Sequence, residues 1–156
     1  MMGRMDIPQI EQVKIQAKIL VPLIKALRAE LGEARANAFL AKTLGEHYRK
    51  AGERWWRRQK GSDLGEKMAA TWGWFRAGEA LDYDVVKKTA DAFDINIKGC
   101  RYAEFYKEIG EPELGFLLVC NADFPMTEGF ADVELKRTQT IMQGASHCDF
   151  RYALKK

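Results

Sequence analysis

Ile10, Val13, Ala17, Leu20, Ile24, Leu27 and Leu31 recur at intervals of three and four. That is the spacing of one helix face, and it predicts an α-helix over residues 8–31. Pro8 suits its first turn and Gly32 its end. Pro22 removes one internal backbone bond and predicts a kink. The stripe is also heptad-like, so it reads either as core or as the seam of a homodimer. Leu40, Leu44, Tyr48, Ala51 and Trp55 predict a second helix over Glu33–Arg58. Gly61 and Ser62 break the pattern, and Asp63 with Glu66 makes a capping box. The third helix that follows reaches about residue 80, with Leu64, Met68, Trp72 and Phe75 on one face. Trp72 and Trp74 point to different sides, one to the core and one to a cavity or interface.

At Asp82 the period changes from helical to alternating. Residues 83–89 and 92–98 read as a strand hairpin turning at Ala90 and Asp91. Two short helices follow, one carrying Tyr102, Phe105 and Tyr106, the other starting after Pro112 and ending near Cys120. Residues 121–125 read as a turn and 127–130 as a short helical piece. Residues 133–142 and 147–154 read as the last two strands. On that reading Thr138, Thr140 and Met142 share one face and Arg137, Gln139 and Ile141 the other. Cys148, Phe150 and Tyr152 likewise oppose His147, Asp149 and Arg151. The fold class is α+β: three N-terminal helices packed on an antiparallel sheet, with two short helices inserted before the last two strands.

The chain has 156 residues, enough for one domain with a real core. A net charge of +3 argues for no obligate nucleic-acid partner. The basic end of the second helix (Arg49, Lys50, Arg54, Arg57, Arg58, with Trp55 and Trp56) reads first as a solvated face, and anion or single-strand binding are the other readings. Residues 1–6 are short and polar, so no secretory leader is expected. No apolar run has membrane-spanning length. Three cysteines, an odd number, fit free thiols in a reducing cytoplasm.

All three cysteines, Cys100, Cys120 and Cys148, fall in the last third of the chain, as does His147. They are 20 and 28 residues apart, which is no Cys-x-x-Cys motif. Three readings stay open. One cysteine is a nucleophile, activated by His147, an arginine or a helix terminus. Alternatively Cys100, Cys120, His147 and Cys148 converge on a metal, although His147 and Cys148, as neighbours on a strand, point opposite ways. In the third, the cysteines are small core residues. Arg137 and Asp149 read equally as a strand salt bridge or cap.

Gly99-Cys-Arg-Tyr-Ala103, Lys107-Glu-Ile-Gly-Glu-Pro-Glu-Leu-Gly115, Cys120-Asn-Ala-Asp-Phe124, Glu128-Gly-Phe130, Leu135-Lys-Arg-Thr-Gln-Thr-Ile-Met-Gln-Gly144 and His147-Cys-Asp-Phe-Arg-Tyr152 resemble the L-2-amino-thiazoline-4-carboxylic acid hydrolase family. The resemblance runs from about residue 72 to 152 and is most specific at its closing Arg-Thr-x-Thr…Gly…Cys-Asp-Phe run. It implies a cofactor-free hydrolase acting on a cyclic, amidine-like carbon–nitrogen/carbon–sulfur bond of a small molecule, as in opening 2-amino-thiazoline-4-carboxylate to N-carbamoyl-L-cysteine. Cys120 or Cys148 would attack the ring carbon, with Asp123 as general acid or base. Arg137 would hold a substrate carboxylate or lower a thiol pKa. Thr138 and Thr140 would donate to developing charge, and Cys100, Tyr102 and His147 would line the pocket. A fainter similarity runs to 4-vinyl reductase-like domains, which implies a ligand- or metal-binding module as the rival. Of that group's zinc ligand pattern, Cys120, Gly144 and Cys148 keep their places, while Arg137 stands for the acid and Thr140 for the middle cysteine.

Overall fold

The computed structural model describes residues 7–156. Residues 1–6, where the sequence predicts no leader, lie outside the described residues. Three long helices come first: α1 (Gln9–Leu31), α2 (Glu33–Arg58) and α3 (Leu64–Arg76). α1 runs unbroken through Pro22 and buries Ile10, Val13, Ala17 and Ile24, four members of the predicted stripe. Asp63 caps α3, its side chain accepting from the Glu66 amide at 2.9 Å. The reciprocal arm differs from a standard box: the Glu66 carboxylate accepts from the Ser62 amide, one residue earlier, at 2.8 Å. α3 is shorter than predicted, ending in turns at 77–80, where Gly78 takes φ +74°.

The hairpin is β1 (Leu81–Lys88) and β2 (Ala92–Cys100). α4 (Arg101–Glu108), α5 (Pro112–Leu118) and α6 (Asp123–Glu128) precede β3 (Val133–Lys136) and β4 (Cys148–Leu154). Three short helices, not two, therefore stand before the last strands. The expected turn at 121–125 is a 3-10 turn over Cys120–Ala122 running into α6. Pro125 fits there because the first turn of a helix needs no internal N–H bond. The sheet order is β1-β2-β4-β3, antiparallel throughout. Phe93, Ile95 and Ile97 of β2 lie beside Tyr152, Phe150 and Cys148 of β4 and face the helices. The opposite face carries Asn96 and Arg151, joined at 2.7 Å.

The predicted strand 133–142 stops at Lys136. The Asp149 carboxylate accepts from the amides of Thr138 (2.8 Å) and Gln139 (2.9 Å) and from the Thr138 hydroxyl (2.5 Å). Those amides are thereby lost to a ladder, and a 3-10 turn follows at Ile141–Gln143. The expected alternation fails with it. Arg137 and Thr140 come to the same interior space, and Thr138 turns to Asp149.

α2 meets α6 at two glycines. A Cβ on Gly52 would fall 2.1 Å from the Met126 carbonyl oxygen, and one on Gly129 2.2 Å from the Arg49 carbonyl oxygen. In an open helix Gly→Ala stabilises by about 1 kcal/mol. Here the backbone clash wins, so Gly52→Ala should cost about 1–3 kcal/mol net and lower Tm by about 3–10 °C in a thermal melt. An unchanged or raised Tm would mean the two helices are not this close.

Candidate functional site

A cavity of about 280 Å³ lies between the inner face of the sheet and the helices. Its walls are mostly apolar. α1 gives Val13 and Leu20, α2 Ala51 and Trp55, and α3 Trp72, Trp74 and Phe75. The N-terminal helices thus build a large part of it. Both Trp72 and Trp74 line it, the first buried and the second 38% exposed. The signal for this wall is the row of aromatics on α2 and α3. Period alone assigns them to the core.

The polar end comes from the C-terminal part. Cys100, Cys120, Cys148, Asp123, Arg137 and Thr140 all line the cavity, with Tyr102 beside them. Arg137 reaches inward from the stretch after β3, and its side chain is 3% exposed. Its Nη1 donates to Asp123 Oδ2 at 2.6 Å and to the Cys120 carbonyl at 2.9 Å. Its guanidinium carbon lies 4.8 Å from the ring centre of Phe124 and 5.3 Å from that of Phe150. A buried guanidinium needs such partners, because unpaired burial of a charge is costly.

Asp123 keeps 27% side-chain exposure, on the cavity. Burial nonetheless pushes its carboxyl up to about 6, against the downward pull of Arg137. All three thiols are free. Cys100 caps α4, accepting from the Ala103 amide at 3.4 Å, and burial pushes its thiol up to about 11. Burial also raises Cys120 far above the ordinary thiol range, with Asp123 adding to it and Arg137 opposing. Cys148 accepts from the Ile141 amide at 3.2 Å and is raised by burial as well. The resting site therefore holds neutral thiols beside one carboxyl that titrates near neutrality.

Thr138 and His147 do not line the cavity. Thr138 is held by Asp149, and His147 sits at the loop end against Ser146 Oγ at 3.0 Å. Asp149 is a cap for the 138–139 backbone, and its donors from Thr138 and Gln139 outweigh its burial and hold it below the usual carboxylate range. Among the described residues, no three His, Cys, Asp or Glu side chains converge as a metal site. Nor does any described helix have the length and apolarity to cross a membrane. Trp55 and Trp56 turn inward, away from the basic residues of α2, Trp56 stacking on Phe130 at 4.6 Å.

Helices closing a mostly apolar hollow over a four-stranded antiparallel sheet, with thiols, an acid and an arginine at one end, define an α+β domain built around an internal cavity. Within that class the particular family is shown by sequence. The model for L-2-amino-thiazoline-4-carboxylic acid hydrolase matches residues 12–152, and the chain belongs to that family. No curated protein matches it significantly. Among solved structures it is similar in fold to the phenol-responsive sensory domain of the transcription activator PoxR, solved with phenol. The TM-score is 0.53 at 10% identity, over 86% of this chain and 72% of that one. The second resemblance seen in the sequence thus has a counterpart in the fold.

Two outcomes test this electrostatic picture. At pH 8, iodoacetamide should alkylate the native thiols about a hundred times more slowly than the unfolded chain, because burial suppresses the thiolate. Equal rates would refute buried, neutral thiols. Arg137→Ala should cost about 2–3 kcal/mol in urea unfolding at pH 7.5, less than a fully buried pair because Asp123 can protonate. The loss should shrink at pH 5, below the Asp123 pKa, where the carboxyl is already neutral in the parent protein.

Proposed function

We propose that the protein is a hydrolase that opens a small cyclic compound at an amidine-like carbon between nitrogen and sulfur. Family membership supports the reaction class. The observation that carries the reading is Asp123, a carboxyl titrating near 6 inside the cavity, oriented by Arg137 at 2.6 Å. A general base works best with a pKa near the operating pH. Water attacks the ring carbon, and its proton passes to Asp123. The C=N electron pair goes to the ring nitrogen, which takes that proton, and the carbon–sulfur bond then breaks as the added hydroxyl becomes a carbonyl, its proton passing through Asp123 to the expelled sulfur. The product carries the water oxygen as a urea-type carbonyl and a free thiol, so atoms and charge balance. Arg137 holds the carboxylate in place and offsets negative charge on the departing sulfur.

One observation favours a covalent variant. Cys120 stands three residues before Asp123 on the same helical turn. Its sulfur attacks the ring carbon while its proton passes to Asp123, the ring carbon–sulfur bond breaks and the ring sulfur takes that proton, and water then hydrolyses the isothiourea-type adduct, one of its protons going to the nitrogen and the other to the departing Cys120 sulfur. The raised thiol pKa makes this the costlier first step. A second class, a ligand-sensing domain without turnover, is favoured by the apolar walls and the neutral thiols.

Ring opening followed spectroscopically over a panel of 2-amino-thiazolines tests the reading. Asp123→Asn should lose about a hundred-fold or more in kcat/KM. In the parent protein the rate should fall as pH drops through about 6, because protonated Asp123 accepts no proton. Unchanged rates in Cys120→Ser and Cys148→Ser select water attack, and loss in Cys120→Ser alone selects the covalent route. Saturable binding with no turnover across the panel would select the sensor.

A further inference from the structure

α1 carries a second apolar stripe, on the side away from the core. The stripe expected from the sequence is spent inside: Ile10, Val13, Ala17 and Ile24 are all buried. Ile15, Ile19, Pro22 and Ala26 follow one another at intervals of four, three and four, and all four are exposed. Ile19 is 70% exposed, Ile15 57%, and Leu23 beside them 58%. Gln12, three residues before the row, and Glu30, four after it, bound it with polar groups. A surface helix normally turns its polar face outward. A single exposed apolar residue is ordinary, but a contiguous row on one helix face marks an interaction surface. Steps of four, three and four are the spacing of a seam between two paired helices.

The order of sizes along the row selects the occupant. Laid antiparallel on a copy of itself, about a two-fold axis passing between Leu20 and Val21, the row sets Ile15 against Ala26 and Ile19 against Pro22. Large meets small in both layers, so two identical helices close on each other without a gap or a clash. In a parallel pair Ile15 would meet Ile15 and Ala26 would meet Ala26, crowding one end and hollowing the other. The area agrees. The exposed surface of Ile15, Ile19, Pro22, Leu23 and Ala26 comes to roughly 400 Å², close to the apolar share, about 450 Å², of a standard interface of about 800 Å² per partner. Of the lysines along α1, Lys14 is paired with Glu11 and Lys25 with Glu111.

We infer that this outer face of α1 packs antiparallel on the same face of a second copy of the chain, making a two-fold homodimer. Val13, Gln16 and Leu20, which line the cavity, belong to other positions of α1. The seam can therefore be altered without altering the cavity wall, and the inference does not depend on what the cavity does.

Sedimentation velocity of the full chain at tens of micromolar should give twice the 17.8 kDa of one chain. Ile19→Glu places a charge in the seam and should weaken the dimer about a hundred-fold or more, with circular dichroism confirming the fold. Disulfide cross-linking reads the register and decides the matter if that variant does not fold. Chains with Ile15→Cys, mixed with chains with Ala26→Cys, should be joined under mild oxidation. Neither kind should be joined to itself, because equivalent positions then stand about 16 Å apart along the helix axis. A monomeric parent protein, or a folded Ile19→Glu variant that stays dimeric, overturns the inference. So does cross-linking of Ile15→Cys chains among themselves and not to Ala26→Cys chains. A monomer that binds phosphatidylcholine vesicles, and loses that binding in Ile19→Glu, overturns it too and gives the face to a membrane surface.

Discussion

The contact between Arg137 and Asp123 constrains most of what surrounds it. A guanidinium 3% exposed must be met by acceptors and ring faces, and here they come from three places. Asp123 and the Cys120 carbonyl belong to the 3-10 turn and the start of α6. Phe124 follows in α6, and Phe150 lies on β4. The pair thus pins the stretch after β3 between the sheet and the short helices. It also sets the local field, with one charged group of each sign in a wall that is otherwise neutral. The same burial that makes the pair necessary lifts the Asp123 carboxyl toward neutrality and keeps the thiols protonated.

Around this contact the helices are arranged to leave space as well as to fill it. α2 is 26 residues long, yet only Ala36 and Gly52 in it are buried. Its apolar positions Tyr48, Ala51 and Trp55 face the hollow instead of a packed neighbour. Packing is recovered elsewhere. Gly52 and Gly129 let α2 and α6 meet backbone to backbone, and Trp72 packs edge-on against Phe150 at 4.7 Å. A void costs contacts its lining would otherwise make, so the tight places and the open one belong to one arrangement.

Much of this was legible in the chain. The apolar stripe of α1, the bounds of α2, the Asp63 cap and the β1–β2 hairpin follow from local period and turn chemistry. The inward set Cys148, Phe150 and Tyr152 follows from strand alternation. The segment after Lys136 was not legible, because a side chain eleven residues away, Asp149, captures the Thr138 amide. For the same reason the pairing of the two threonines on one face fails.

The sequence by itself determined the fold class, the family and the identity of the groups that gather at the C-terminal end, because periodicity and motif spacing are local properties. Only the tertiary structure decided what those groups do to each other. It turned Arg137 toward Asp123, moved Thr138 and His147 out of the site and brought the tryptophans of α2 and α3 into it. Pairing, burial and the shape of an enclosed space depend on atoms far apart in the chain, and no periodicity encodes them.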